Sequence, residues 1–158
     1  MKLSTKGRYG LKAILDLAVH NNEGQVVLKS IAERQQLSEN YLEQLFAALK
    51  KAKLVKSIRG SQGGYSLGDR PEKITVGDIL RALEGSMAPT DCVSGNCEVQ
   101  HCGNSDFCVT RGVWEKIRDG INSVIDNITL QELVEDYHKS KEAMNGKYEF
   151  LDESGSGV

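Results

Sequence analysis

The sequence predicts a mainly α-helical fold with one small β-hairpin, and three observations carry that prediction. Apolar residues recur at helical spacing through most of the 158 residues. Two short helical patterns are separated only by a tight break at Gln36-Leu37-Ser38. One stretch, LVKSIRGSQGGYSLG at 54–68, replaces the helical period with β-formers around glycines. A hairpin directly after two closely joined helices predicts a winged helix-turn-helix, here followed by a longer helical part.

In chain order, Ser4 and Thr5 are suitable caps for a helix over about Lys6 to His20, with Leu11, Ile14, Leu15 and Ala18 on its buried face. Asn21-Asn22-Glu23-Gly24 stops it. Leu28, Ile31 and Ala32 line the next helix; Leu42, Leu45, Phe46 and Leu49 line the one after. Ser38 is placed to cap this second helix, and Glu39 adds a carboxylate in the first turn, where the helix dipole favours it. Turning the leucines inward leaves Asn40, Glu43, Gln44, Ala47 and Lys51 outward, and amides and carboxylates there suit base edges in a major groove.

The hairpin at 54–68 draws β-formers from Val55, Ile58, Tyr65 and Leu67 and its reversal from Gly60, Gly63 and Gly64. Lys56 and Arg59 decorate it, with Gln62 at the tip, so its cations suit phosphates or a minor groove. The glycines lack the Gly-Lys-Ser/Thr and βαβ setting of a nucleotide cradle. Beyond it, Thr75 caps a helix with Ile79, Leu80 and Leu83, which Gly85 ends. Val113, Trp114, Ile117, Ile121, Val124 and Ile125 then form a long apolar stripe that needs a partner surface, expected to be its copy in a second subunit. A last amphipathic segment starts at Thr129, and a disordered tail is expected over 145–158. The expected organisation is a reader at 1–85, a cysteine-rich segment at 86–109, and dimerisation and C-terminal helices at 110–144.

Charge follows the same division. Residues 1–70 carry 12 Lys/Arg against 6 Asp/Glu, whereas residues 71–158 carry 8 against 16. A basic half joined to an acidic half suggests a polyanion-facing end, here double-stranded DNA. No run of 18 apolar residues exists, so no bilayer-spanning helix is expected. Lys12 and Asp16 interrupt the apolar start, which therefore reads as part of a cytoplasmic protein rather than a signal peptide. No nucleophile–base pair is evident, and no enzyme activity is expected.

All four cysteines, Cys92, Cys97, Cys102 and Cys108, lie in DCVSGNCEVQHCGNSDFC at 91–108. In a reducing compartment such a group reads as ligands or redox thiols rather than structural disulfides. The C-x4-C-x4-C-x5-C gaps are wider than the close pairs of structural zinc sites. They favour a loop wrapped around an iron–sulfur cluster, with zinc and a bare thiol switch as alternatives. His101 is a further donor in the same stretch.

MKLSTKGRYGLKAILDLA, IAERQQLSENYLEQLF, LVKSIRGSQGGYSLG, the cysteine segment and DNITLQEL, in this order, resemble the IscR-like family of winged-helix regulators of iron–sulfur cluster biogenesis, over roughly residues 1–135. The resemblance implies a homodimeric repressor on a palindromic operator, with a cluster, usually [2Fe–2S], that reports on iron–sulfur supply. Cluster-assembly proteins are implied as further partners. Relatives include nitric-oxide sensors and a cluster-free cysteine-metabolism repressor. Carried over from the LSENYLEQL match, Ser38, Asn40, Tyr41, Glu43 and Gln44 form the base-reading set, while Lys56, Arg59, Gly60 and Gln62 belong to the wing. The ligand pattern departs from the family's three cysteines, spaced by five residues each, and a histidine three positions after the last. Cys92, Cys102 and Cys108 are the primary expected ligands, Cys97 is an added thiol and leading fourth ligand, and the histidine position holds Arg111. A guanidinium has no lone pair to offer iron.

Overall fold

A computed structural model of the chain describes residues 2–21, 24–61, 63–95 and 107–153, with 147–153 as backbone only. The fold is the expected one, mainly helical with a two-stranded antiparallel sheet.

Helix α1 (Thr5–His20) begins on Ser4, whose hydroxyl accepts from the Lys6 amide. Its buried face holds Ala13, Ile14, Leu17 and Ala18, while Leu11 and Leu15, expected inside, are only half-buried against the core. The first turns of α1 also bury Gly7 and Gly10, because another helix lies across them.

Helices α2 (Leu28–Gln35) and α3 (Glu39–Lys51) are joined by a turn in which Gln36 takes the left-handed conformation, φ 54°. That geometry lets the Leu37 amide reach the Ala32 carbonyl at 3.0 Å, satisfying the end of α2 within three residues. Ser38 Oγ then accepts from the Tyr41 amide at 3.2 Å and caps α3, a contact worth about 1 kcal/mol in such helices. Leu42, Leu45, Phe46 and Leu49 all point inward, as the period predicts. Phe46 is fully buried and meets the Tyr65 ring edge-on at 4.8 Å.

Lys53, at φ 61°, turns the chain out of α3 into strand β1 (Val55–Ile58), which pairs with β2 (Gly64–Leu67) in the register Val55 to Leu67 and Ile58 to Gly64. Val55 and Leu67 are buried at the base, while Lys56, Ser57 and Ile58 are exposed. A further bridge pairs Val26 with Tyr65 through two backbone bonds of 2.9 Å, so the wing is anchored to the segment before α2.

After a single 3-10 turn at Pro71–Lys73, helix α4 (Val76–Glu84) starts on a capping box between Thr75 and Asp78. Helix α5 (Arg111–Asp126) follows the cysteine segment, and α6 (Leu130–Glu153) closes the chain. Leu130 is fully buried in the main core, held by a 2.8 Å bond from its amide to the Ile74 carbonyl. Helical backbone continues through α6 past residue 145, where the expectation is a disordered tail. Between there and Glu153 the chain has no proline, and Gly146 is its weakest helix former. No helix among the described residues is long and apolar enough to cross a membrane.

Candidate DNA interface and cysteine segment

The first two turns of α3 present Asn40, Glu43 and Gln44 as exposed side chains, with Ala47 and Lys51 on the same outward side. Ser38 is exposed too, although its oxygen already serves the cap. Tyr41 differs from the rest of the expected set. It is half-buried, its hydroxyl donates to Thr5 Oγ1 at 3.4 Å, and its ring meets Tyr9 edge-on with centroids 6.3 Å apart. Tyr41 therefore ties α3 to the first turns of α1, where the Arg8 guanidinium lies 5.9 Å from the Tyr9 ring.

On the wing, Lys56 and Arg59 are exposed, and Gly60 opens a turn closed by the Gly63 amide at 3.2 Å. Gln62 lies outside the described residues. Polar side chains on α3 and cations on the adjoining hairpin match what a duplex offers, base edges in one groove and phosphates beside it.

Behind α3 the polar groups are paired within the chain. Asp16, the one buried charged residue of the described chain, accepts Arg34 Nε at 3.0 Å and Nη2 at 2.6 Å, and Gln35 Nε2 at 2.9 Å. A carboxylate inside α1 thus fixes the end of α2 to the rest of the domain. In the sequence Asp16 shows only as an interruption of the apolar pattern, because Arg34 and Gln35 lie 18 and 19 residues away.

The seam between α1 and α4 was also missed. Glu84 Oε1 accepts the Gly7 amide at 2.8 Å and the Ser4 hydroxyl at 2.5 Å. The signal available for it was a pair of small residues three apart, Gly7 and Gly10, on one side of a helix.

The cysteine segment leaves α4 at Gly85 and reaches α5 at Arg111. Cys92 sits in a 3-10 turn, Asp91–Val93, within 3.2 Å of the Thr90 hydroxyl. Val93 is buried, and its carbonyl accepts Arg118 Nη1 at 3.1 Å, which pins the Cys92 turn to α5. Cys108 lies 3.2 Å from the Thr110 hydroxyl. That hydroxyl, with the backbone N–H of Arg111 next, holds the Cys108 thiol below its ordinary range. Both thiols are free of disulfides and half-buried. Two sulfurs, each with a hydroxyl in reach, fit the donor set of a thiolate-bound cluster, whose potential responds to hydrogen bonds at sulfur. Arg111 pairs with Glu115 at 3.1 Å. Cys97, His101 and Cys102 lie outside the described residues, so any ligand role for them rests on sequence.

Helix α5 buries none of its residues. Ile121 and Ile125 lean on a small cluster of Val76, Leu80 and Met87, and Arg81 pairs with Asp126. Val113, Ile117 and Val124 remain exposed at 50%, 38% and 61%. With Gly120 these positions repeat every four, three and four residues, the spacing of a helix–helix seam.

The family model described as Rrf2, iron-dependent transcriptional regulator, matches residues 3–136. The chain is 47% identical to the HTH-type transcriptional regulator CymR of Bacillus subtilis over 133 residues, covering 84% of this chain and 89% of that protein. It is 43% identical to the HTH-type transcriptional regulator IscR of Pectobacterium atrosepticum over 145 residues, covering 92% and 84%. Among solved structures, T. potens IscR is 51% identical with a TM-score of 0.71, covering 89% of this chain and 90% of its own. The structure of CymR, the global cysteine regulator of B. subtilis, is 45% identical with a TM-score of 0.68, covering 85% and 97%.

Proposed function

Because this chain belongs to the Rrf2 family of helix-turn-helix transcriptional regulators, we propose that it is a homodimeric repressor whose cysteine segment holds an iron–sulfur cluster and whose α3 and wing read a palindromic operator. The observation that carries this reading is the juxtaposition along one chain of an exposed polar face on α3, a basic wing, and free thiols on the segment linking α4 to the seam-bearing α5.

Asn40, Glu43 and Gln44 meet base edges, and Lys56 and Arg59 meet phosphate and the minor groove, beside Gly60 and Gln62. Glu43 is the selective member, because a carboxylate accepts from cytosine N4 but is repelled by phosphates. Ser38 and Tyr41 act chiefly by fixing the first turn of α3. The α5 seam of Val113, Ile117, Gly120 and Val124 pairs with its copy and sets the separation of the two readers.

Cys92, Cys102 and Cys108, with Cys97 as fourth ligand, hold the cluster, most simply [2Fe–2S]. When bound, that group supplies a redox- and supply-sensitive core. The chain's own part is mechanical. Val93 and Arg118 transmit the position of Cys92 to α5, and Thr110 and the Arg111 amide favour the thiolate form of Cys108 at the head of the same helix. Ordering the segment then fixes how α5 meets the reader, and by linkage DNA tightens cluster retention by the factor that the cluster tightens DNA. The target genes are those of iron–sulfur cluster assembly.

Anaerobic purification with an absorption spectrum and iron and sulfide analysis tests the reading. Coloured protein with stoichiometric iron and sulfide, losing colour on Cys92→Ser or Cys108→Ser, is expected, and Cys97→Ala identifies the fourth ligand. A second reading, a cluster-free repressor of the cysteine-metabolism kind, draws on the likeness to CymR and on Arg111 at the expected histidine position. It predicts colourless protein and operator binding indifferent to the cysteine substitutions.

A further inference from the structure

The contact between Glu84 and the start of α1 reaches further than one cap. Glu84 is the last residue of α4, one step before the chain enters the cysteine segment. Its Oε1 takes hydrogen bonds from Ser4 and Gly7 in the opening turn of α1. Glycines on α1 leave room for this approach. A Cβ at residue 7 would stand 2.6 Å from Glu84 Oε1, and one at residue 10 would run into Leu83 Cδ1.

The same opening turns of α1 touch α3. Thr5 accepts from the Tyr41 hydroxyl, and Tyr9 packs edge-on against the Tyr41 ring. Tyr41 lies between Asn40 and Glu43, so the support of these reading side chains runs through α1 to Glu84. A carboxylate suits the position, because a helix N-terminus offers unpaired amides and a partial positive charge.

We infer that Glu84 is a positioning residue for operator recognition: it seats the first turn of α1, and Thr5 and Tyr9 pass that seat to Tyr41 and so to the angle at which α3 presents Asn40, Glu43 and Gln44. Glu84 acts through its contacts with Ser4 and Gly7 rather than as a base or phosphate contact. Its influence therefore falls on discrimination between duplexes rather than on general affinity. The inference goes beyond the cluster reading and rests only on α3 being the DNA-reading helix.

The test uses the full chain, a duplex enriched by the wild-type protein from a random pool, and a shuffled duplex of equal composition. Binding of both is followed by fluorescence anisotropy at one salt concentration. Glu84→Ala is expected to weaken the enriched duplex about tenfold while leaving the shuffled one within about twofold. Glu84→Gln keeps an acceptor in place and is expected to regain most of the loss. An unchanged ratio of the two affinities in Glu84→Ala overturns the inference, as does an equal loss on both duplexes. Should Glu84→Ala fail to fold, Ser4→Ala removes one of the two donors and is judged by the same ratio, with about a threefold drop expected. Gln44→Ala runs in parallel. If it retains full discrimination, α3 is not the reader and the inference goes with that assignment. If it loses discrimination while Glu84→Ala keeps it, the role of Glu84 alone is wrong.

Discussion

The reader and helix α5 sit next to each other in one chain and satisfy their side chains in opposite ways. In the reader, Ile14, Leu17, Ile31, Leu42, Phe46 and Leu49 are fully buried, and the buried carboxylate of Asp16 has its hydrogen-bond partners on α2. Helix α5 is as long as α1, at 16 residues, yet buries none of them and leaves three apolar side chains open. One region is covered by its own chain, and the other leaves an apolar seam open. Under the proposed dimer the two serve different ends, a reader that keeps its shape and a seam that sets its spacing from a second copy.

The comparison breaks most visibly in the core. Phe46→Ala is expected to cost the reader about 3–5 kcal/mol through lost burial and a residual cavity, read as a lower midpoint in urea. Asp16→Asn should cost less, about 1.5–3 kcal/mol, since it weakens charge-assisted bonds to an Arg34 that remains partly in water. On α5 the same kind of change should scarcely touch folding. Val124→Asp is expected to alter the stability of the folded chain by no more than about 0.5 kcal/mol. It should nevertheless shift sedimentation from dimer toward monomer. A Val124→Asp protein that melts as early as Phe46→Ala would erase the distinction between the two regions.

Two smaller effects sharpen it. Lys56→Ala on the wing should weaken all duplexes nearly alike and flatten the dependence of log affinity on log salt by about one unit. In cluster-free protein, Cys108 should react with iodoacetamide at lower pH than an ordinary thiol, because Thr110 and the Arg111 amide favour its thiolate. The sign follows from that preference. A folded-state thiol depressed below its unfolded value adds stability above the unfolded value and loses it as pH falls through the folded one. Thr110→Ala, which removes the first of these donors, should move the alkylation profile back toward higher pH.

Most of the architecture was legible because it is written locally. Ser38 three residues before the Tyr41 amide, Thr75 three before Asp78, and the glycines of 60–64 between β-formers each declare a turn or a cap within one short window. The exposed polar face of α3 follows from period alone, since Leu42, Leu45 and Leu49 leave Asn40, Glu43 and Gln44 only one direction to point. Tertiary pairings were not legible. Glu84 meets Gly7 across 77 residues, and nothing near either one marks the other. Leu130 belongs to the main core, although its own segment reads merely as amphipathic. On α1, periodicity named Leu11 and Leu15, but the neighbours α2, α3 and α4 turn Ala13 and Leu17 inward instead. Helical spacing says that a face is apolar, and packing decides which part of it is covered.

Gly85 holds φ 83° and ψ −141°, a heading that only glycine takes without strain. Chain direction at this abutment is therefore settled before the sulfur-bearing span begins, and the α5 helix settles it again at the far bank. Lengthening a loop between fixed ends costs little, about 0.6 kcal/mol per doubling. Changes of length between these two piers are therefore inexpensive for the scaffold that carries them.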